Sequence, residues 1–454
     1  MREEVTRKFN LLTTVAMIAG IVIGSGIFFK TAEILEAVEG NVVLSLVGWG
    51  LGAIGIIFGG LTIATYAKRE DMVGGIITYS EMAWGKTLGY LAGWFQVVFY
   101  YPALTAIISW VAMAYIFVLF DLPGPFSTGE FTTFSWVFTV ILMLVFFTLN
   151  SLATKTAGKF QSFSLITKVS VLLILAFIGL AFGNPSETIT VATGGSGGGL
   201  FLALISIAFA YDGWLVAPSV AHEIKNPKRN LPLALTFAPV LIMLIYMAYT
   251  LGLVSYLGVD QVIALGNNAV GAFATEIFGS IGPKLVYVGV VISILGTLNG
   301  LILGYIRLPY ALALRNETFN SEALSKIHPK YDIPLASAKL TFLISLVWLV
   351  FHFLSTTGVM EYNLMWFDGL AIDNLPIVLT YVFYILLYTG VIKKAKQEKL
   401  GLINGYIFPL FAIVGASLVL YGGVSAPKFN VYILVSLLGI LAGLIIRPKH
   451  KEMT

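Results

Sequence analysis

Gly24-Ser25-Gly26-Ile27-Phe28 lies in a charge-free apolar run covering residues 9–29. A second apolar run, residues 200–209, leads into Ala210-Tyr211-Asp212-Gly213-Trp214. A spanning helix gains nothing from glycine at its centre, since each glycine costs about 1 kcal/mol relative to alanine. Non-helical backbone at membrane depth persists only against protein or a wet cavity. Two apolar segments interrupted in this way, one in each half of a chain, are the best sequence pointer to the binding site of a secondary carrier.

Composition places these runs in a bilayer. The 454 residues are 58% hydrophobic and only 11% charged, whereas soluble domains carry roughly 25% charged residues. The apolar residues fall in long uncharged runs, as spanning helices of about 20 residues require. Their even spread points to one membrane domain. The chain has no cysteine, which excludes disulfides, thiolate metal sites and a cysteine nucleophile. His222, His328, His352 and His450 are scattered, so we expect no metal site, no cofactor and no enzymatic centre. The net charge of +4 makes no case for nucleic acid. The first hydrophobic stretch lacks a small-residue cleavage site in the usual place, and we expect it to be the first span and not a removed signal.

Charges and turn residues divide the chain into twelve expected spans, at about 10–36, 42–67, 87–119, 131–153, 162–183, 198–221, 231–258, 284–313, 336–357, 370–391, 404–424 and 428–447. Residues 72–83 fit a short interfacial helix, and residues 261–278 an outer cap. Alternate loops on one side hold Arg2, Arg7 and Lys8; Lys68, Arg69 and Lys86; Lys155 and Lys159; Lys225, Lys228 and Arg229; Arg315, Lys326 and Lys330; Lys393, Lys394, Lys396 and Lys399; and Arg447, Lys449 and Lys451. The opposite side holds only Lys30, Lys284 and Lys428. By the positive-inside rule both termini are cytoplasmic. The first span then runs outward and the sixth inward, so two five-span units, about 10–183 and 198–391, are inverted relative to each other. Two further helices, about 404–447, lie outside the repeat. The expected fold is an all-α integral membrane protein with twelve transmembrane helices, a five-plus-five inverted repeat and discontinuous helices 1 and 6.

A broken helix exposes carbonyls at the end of its first half and amides at the start of its second. The amides and the helix dipole attract an anion, and the carbonyls accept hydrogen bonds from an ammonium. An α-amino acid carries both groups on one carbon, so two adjacent breaks can hold it with backbone alone. We expect the amides of Ser25 and Gly26, with the Ser25 hydroxyl, to hold a carboxylate. Carbonyls near Val22, Phe209, Ala210 and Asp212 would hold the ammonium, with Ile23, Gly24 and Gly213 completing the breaks. The substituent would point at Phe209. Close helix packing through small residues is the alternative for Gly24 and Gly26, and an N-cap at Gly213 the alternative for Asp212. Tyr211 and Trp214 fit packing as well as gating. Lys168 lies in an apolar stretch, where an ammonium is costly and usually functional. It either supplies a fixed cation near the first break, loads and releases a proton, or snorkels to the interface. Tyr246 either offers a hydroxyl to the same region or simply packs, and Glu223 and Arg307 can serve an inner gate or lie as interfacial charges.

These residues resemble the amino acid–polyamine–organocation superfamily, and within it a bacterial member of the L-type amino acid transporter family of the serine/threonine or alanine/serine/cysteine exchanger kind. The resemblance rests on Gly24-Ser25-Gly26-Ile27-Phe28, Phe209-Ala210-Tyr211-Asp212-Gly213-Trp214, Glu223-Ile224-Lys225-Asn226-Pro227, Lys168 and Asn299-Gly300, in span order. It implies alternating access and sodium-independent exchange of amino acids. Ser25 and Gly26 fall on its carboxylate positions. Val22, Phe209, Ala210 and Asp212 fall on amino-group or gating positions, and Lys168 on a lysine that stands in for a sodium site. Animal members attach a heavy subunit through a cysteine in the loop that is residues 121–130 here; this loop has none. A carboxylate at 212 resembles members that handle neutral and cationic amino acids, and also a serine/threonine exchanger. The expectation is exchange of small or medium neutral L-amino acids across the cell membrane, with an ion-coupled symporter as the rival.

Overall fold

A computed structural model describes residues 9–24, 26–67, 75–191, 197–215, 224–357, 372, 374–426 and 428–447. The described helices are α1 (Leu11–Val22), α2 (Gly26–Ala37), α3 (Val42–Ala67), α4 (Gly75–Trp84), α5 (Lys86–Phe95), α6 (Tyr101–Leu119), α7 (Thr133–Leu152), α8 (Thr154–Phe182), α9 (Pro185–Val191) and α10 (Gly197–Ala210). They continue as α11 (Pro227–Leu257), α12 (Val259–Leu265), α13 (Ala269–Phe278), α14 (Gly282–Tyr305), α15 (Arg307–Leu314), α16 (Ser321–Leu324), α17 (Leu335–Thr356), α18 (Asn374–Ala395), α19 (Phe408–Ser425) and α20 (Phe429–Ile446).

The protein is all-helical among the described residues, with two isolated backbone bridges and no strand. Ten of its helical runs are long and apolar enough to cross a bilayer. The pair α1 and α2, whose axes diverge by 59°, adds an eleventh if it is one span. Residues 358–371, where the tenth expected span begins, and residues 216–223, which end the sixth, lie outside the described residues. Local signals set several boundaries. The Asn10 side chain accepts the Thr13 amide at 2.8 Å and caps α1. The expected interfacial helix is α4, and the expected outer cap is α12 with α13.

Three differences from the sequence expectation have clear causes. First, α8 begins at Thr154, eight residues ahead of the span edge read from charge, because a helix continues past the hydrocarbon while its solvated side chains stay polar. Second, Lys30 is not a loop charge: it lies inside α2 and is only 4% exposed. Third, the span from Lys86 to Leu119 contains a π-helical turn, Gln96–Tyr100, just before Pro102. Proline has no amide hydrogen to offer the carbonyl four residues back, and the wider turn absorbs the mismatch. The carbonyls this region frees are used by other helices. Trp348 Nε1 donates to Val98 O at 2.6 Å, and the Tyr305 hydroxyl donates to Val97 O at 2.5 Å.

Packing centres on two long helices. α11 lies against α1, α3 and α8, and α14 lies against α6 and α8. α2 runs alongside α10, and α19 covers α3, α10 and α18. Large apolar side chains such as Phe134, Val137, Ile141 and Leu144 on α7 and Phe163, Ile166 and Phe177 on α8 are exposed, as lipid-facing surfaces require.

The buried hydroxyl of Tyr305 gives a test. Tyr305→Phe leaves the Val97 carbonyl without its donor and should lower stability in detergent by about 1–3 kcal/mol. Tyr421→Phe, at an exposed ring, should stay within about 0.5 kcal/mol of the parent. Thermal unfolding followed by size-exclusion fluorescence reads both.

Candidate functional site

The first interruption falls where α1 stops at Val22. Ile23 turns to extended backbone (φ −68°, ψ 95°), with its amide on Ala19 O. The last carbonyls of α1 therefore need donors from elsewhere. Lys168 Nζ donates to Gly20 O at 2.6 Å, and the Tyr246 hydroxyl lies 3.1 Å from Val22 O. Lys168 is fully buried, with its ammonium at the negative end of the α1 dipole. Ser293 Oγ stands 3.5 Å from Gly24 O. Ser25 lies outside the described residues.

The second interruption follows Ala210. The Tyr211 amide still reaches Ile207 O at 3.0 Å, and the Asp212 amide turns back to Phe209 O at 3.1 Å. Residues 211–215 form a turn and not a helix start, so Gly213 does not begin a half-helix that Asp212 could cap. Gly213 has φ +99°, a conformation that excludes most side chains. The Ala210 carbonyl has lost its helical donor, and its partner is again the Tyr246 hydroxyl, at 3.1 Å.

The two breaks touch. A β-carbon added to Gly26 would stand 2.7 Å from Ala210 Cα, so glycine is what lets the segments meet. Tyr246 then bridges the carboxyl ends of α1 and α10 with one hydroxyl. That hydroxyl has a single proton, so it can donate to only one of Val22 O and Ala210 O at a time.

Around this junction lies a cavity of about 490 Å³, within the usual range of small-molecule sites. Val22, Gly24, Gly26, Phe209, Ala210, Asp212 and Gly213 all line it. Its deep end stops at the Phe209 ring, which meets Phe29 edge-on at 5.4 Å. Its other end is lined by Ile76 and Ile77 of α4 and by Arg307, Leu308 and Ala311 of α15; Arg307 is exposed. Asp212 accepts a hydrogen bond from the Tyr100 hydroxyl. Asn299 donates to Gln161 at 3.0 Å and accepts from Asn150 at 3.0 Å, which leaves Gly300 facing the cavity beside Gln161.

The structure thus brings together most of the residues singled out in sequence. Lys168 and Tyr246 stand behind the cavity wall and satisfy carbonyls from there. Ile23 is buried in the break. Trp214 does not line the cavity; it packs on Tyr384 with centroids 5.4 Å apart. Glu223 lies outside the described residues. Tyr100, Tyr384 and Gln96 line the cavity and were missed in sequence. The available signal was Pro102, whose π turn sets the register of Gln96 and Tyr100. Among the described residues no three His, Asp or Glu side chains converge as a metal site would need.

Comparison with known proteins places the chain in a family. The family model for amino acid permeases matches residues 9–442. The serine/threonine exchanger SteT of Bacillus subtilis (strain 168) is 30% identical over 419 residues, 91% of this chain and 90% of that protein. The branched-chain amino acid permease BcaP of the same organism is 23% identical over 459 residues, 96% of this chain and 91% of its own length. The human cystine/glutamate transporter is 26% identical over 337 residues, 73% of this chain and 66% of its own length.

The cavity's shape makes a labelling prediction in this cysteine-free chain. Thr297→Cys, which puts a thiol on the cavity wall, should react with a small charged thiol reagent applied from the side on which Arg307 lies. Ser206→Cys, at a buried position beyond the Phe209 ring, should react far more slowly. Equal rates, read by mass shift in vesicles, would contradict the boundary drawn at Phe209.

Proposed function

Because the chain belongs to the amino acid permease family, we propose that it exchanges small or medium neutral L-amino acids across the cytoplasmic membrane by alternating access. The observation that carries this reading is the single Tyr246 hydroxyl shared by Val22 O and Ala210 O. Among the described residues no second donor reaches either carbonyl, so one of the two lacks a proton at any moment, and an α-ammonium with three N–H donors supplies it. The Gly26 amide at the start of α2, together with that of Ser25, which lies outside the described residues, is proposed to hold the carboxylate. The α-substituent then meets Phe209, Thr297 and the Asp212–Tyr100 pair. That wall is partly polar, in keeping with the serine/threonine exchanger among the relatives.

The same arrangement favours exchange. A carrier that returns empty must close around a carbonyl with no donor, at a cost of about 1–3 kcal/mol. Each 1.36 kcal/mol slows a step about tenfold, so the loaded carrier crosses faster than the empty one. Lys168 on the Gly20 carbonyl supports sodium independence, since it holds a cation at the first break without any dissolved ion.

Twelve spans in an inverted five-plus-five repeat, with both termini cytoplasmic, complete the proposal. The pairing of α2 with α10 supports the inversion: the residue that follows the first break meets the residue that precedes the second. With the basic loops inside, the Arg307 end of the cavity is cytoplasmic, and the conformation faces inward.

Counterflow in proteoliposomes tests the reading. Labelled serine should enter vesicles loaded with serine at least tenfold faster than empty ones, with no dependence on sodium and no acidification of the lumen. Uptake into empty vesicles driven by an ion gradient would replace exchange with symport. Tyr246→Phe should slow counterflow about tenfold or more. Lys168→Ala should impair turnover, and an unchanged rate would return that lysine to a structural role.

A further inference from the structure

Beyond the Phe209 ring lies a polar cluster with no part in the cavity. Lys30 on α2 pairs with Glu33 of the same helix, Nζ to Oε2 at 2.7 Å. The other carboxylate oxygen of Glu33 accepts from Ser206 Oγ on α10 at 2.6 Å. The Lys30 ammonium also stands 5.3 Å from the Phe29 ring centre and 5.5 Å from that of Phe209. Lys30 is 4% exposed while the Glu33 side chain is 45% exposed. A buried ammonium needs an anion and further donors or acceptors to offset its desolvation. Here the anion lies one turn along its own helix, and it reaches across to the other interrupted helix.

The cluster is the middle of three contacts that join the same two helices. At the inner end Gly26 lies against Ala210. At the outer end, a β-carbon on Gly199 would stand 2.1 Å from Ala37 O, so the two backbones touch there as well. The helices are therefore in register over their whole length, closely packed at both ends and bound by charge between. On the other side of the molecule a backbone bond from the Lys225 amide to Phe9 O, 2.8 Å, ties the start of α1 to the chain beyond the second interruption.

We propose that Lys30, Glu33 and Ser206 are the positioning residues that fasten α2 to α10, so that the outer halves of the two interrupted helices travel as one body and carry the Phe209 gate with them. This rests on the alternating-access reading above. The Lys30 cation, set against the faces of Phe29 and Phe209, fixes the gate ring to that body. Reorientation then breaks contacts between this body and its surroundings, and none within it.

The absence of cysteine from the chain allows a direct test. Glu33→Cys with Ser206→Cys is reconstituted and assayed for serine counterflow; activity at this stage addresses the transport reading alone. The two thiols are then joined by a short bifunctional thiosulfonate, and joining is verified by mass. Counterflow within about twofold of the unjoined protein supports the proposal. A loss of more than about tenfold, reversed by reductant, overturns it, since it means the two helices must separate. If the double variant does not transport, spin labels at Glu36→Cys and Leu202→Cys decide. An interspin distance distribution unchanged by saturating serine supports a single body, provided that the thiol at Thr297→Cys responds to the same serine. A shift in that distribution overturns the proposal.

Discussion

The structure turns on one hydroxyl. At the depth of a bilayer a backbone carbonyl has no water to accept from, so an interrupted helix persists only if the surrounding protein supplies donors. The Tyr246 hydroxyl stands within reach of both interruptions, with Val22 O and Ala210 O each 3.1 Å away, and donates its one proton to either. Because it serves both, it also holds them together. The Gly26–Ala210 contact makes the approach sterically possible, and Lys168 takes up the Gly20 carbonyl two residues before the end of α1. Two side chains from distant parts of the chain, Lys168 and Tyr246, thus supply donors to the carbonyls that the interruptions leave open.

Much of this could be read from the sequence. Glycine inside an uncharged run signals either an interruption or close helix packing, and a lysine such as Lys168 among apolar neighbours signals a buried cation, a proton carrier or a snorkelling side chain; Gly26 and Lys168 both lie at the junction. Apart from the start of α8, the described helix edges marked by charge or by Pro-Gly pairs fall within a few residues of their expected positions. What escaped reading was register and long-range pairing. Pro102 stood in plain view, but periodicity does not say that its missing amide is absorbed by a π turn, nor that the turn brings Tyr100 to Asp212. Lys30 was counted with the outer loops because a single charge after an apolar run looks like an interface. Its counter-ion Glu33 is held in turn by Ser206, 173 residues beyond that glutamate and out of reach of any local signal. Trp214 belongs to the same motif as Asp212, yet the turn at Gly213 sends it to Tyr384 and away from the cavity.

Family membership and site geometry constrain the function in different ways. Relatives that include a serine/threonine exchanger, a branched-chain permease and a cystine/glutamate transporter share a scaffold across dissimilar side chains. The proposed backbone capture of the amino acid's common atoms would let one scaffold serve them all. In this chain the side chains proposed to meet the α-substituent are Phe209, Thr297, Asp212 and Tyr100, which line the cavity.

The lysine buried against Gly20 has a thermodynamic consequence. A dissolved ion bound at such a place can be released on the far side, and its gradient then does work on the cargo. An ammonium bonded to the chain never leaves, so moving it there and back recovers nothing from the sodium potential. On the exchange reading proposed above, such a carrier would draw only on differences in chemical potential among the amino acids themselves. It would trade an abundant one for a scarce one, and the total held by the cell would stay where other systems have set it.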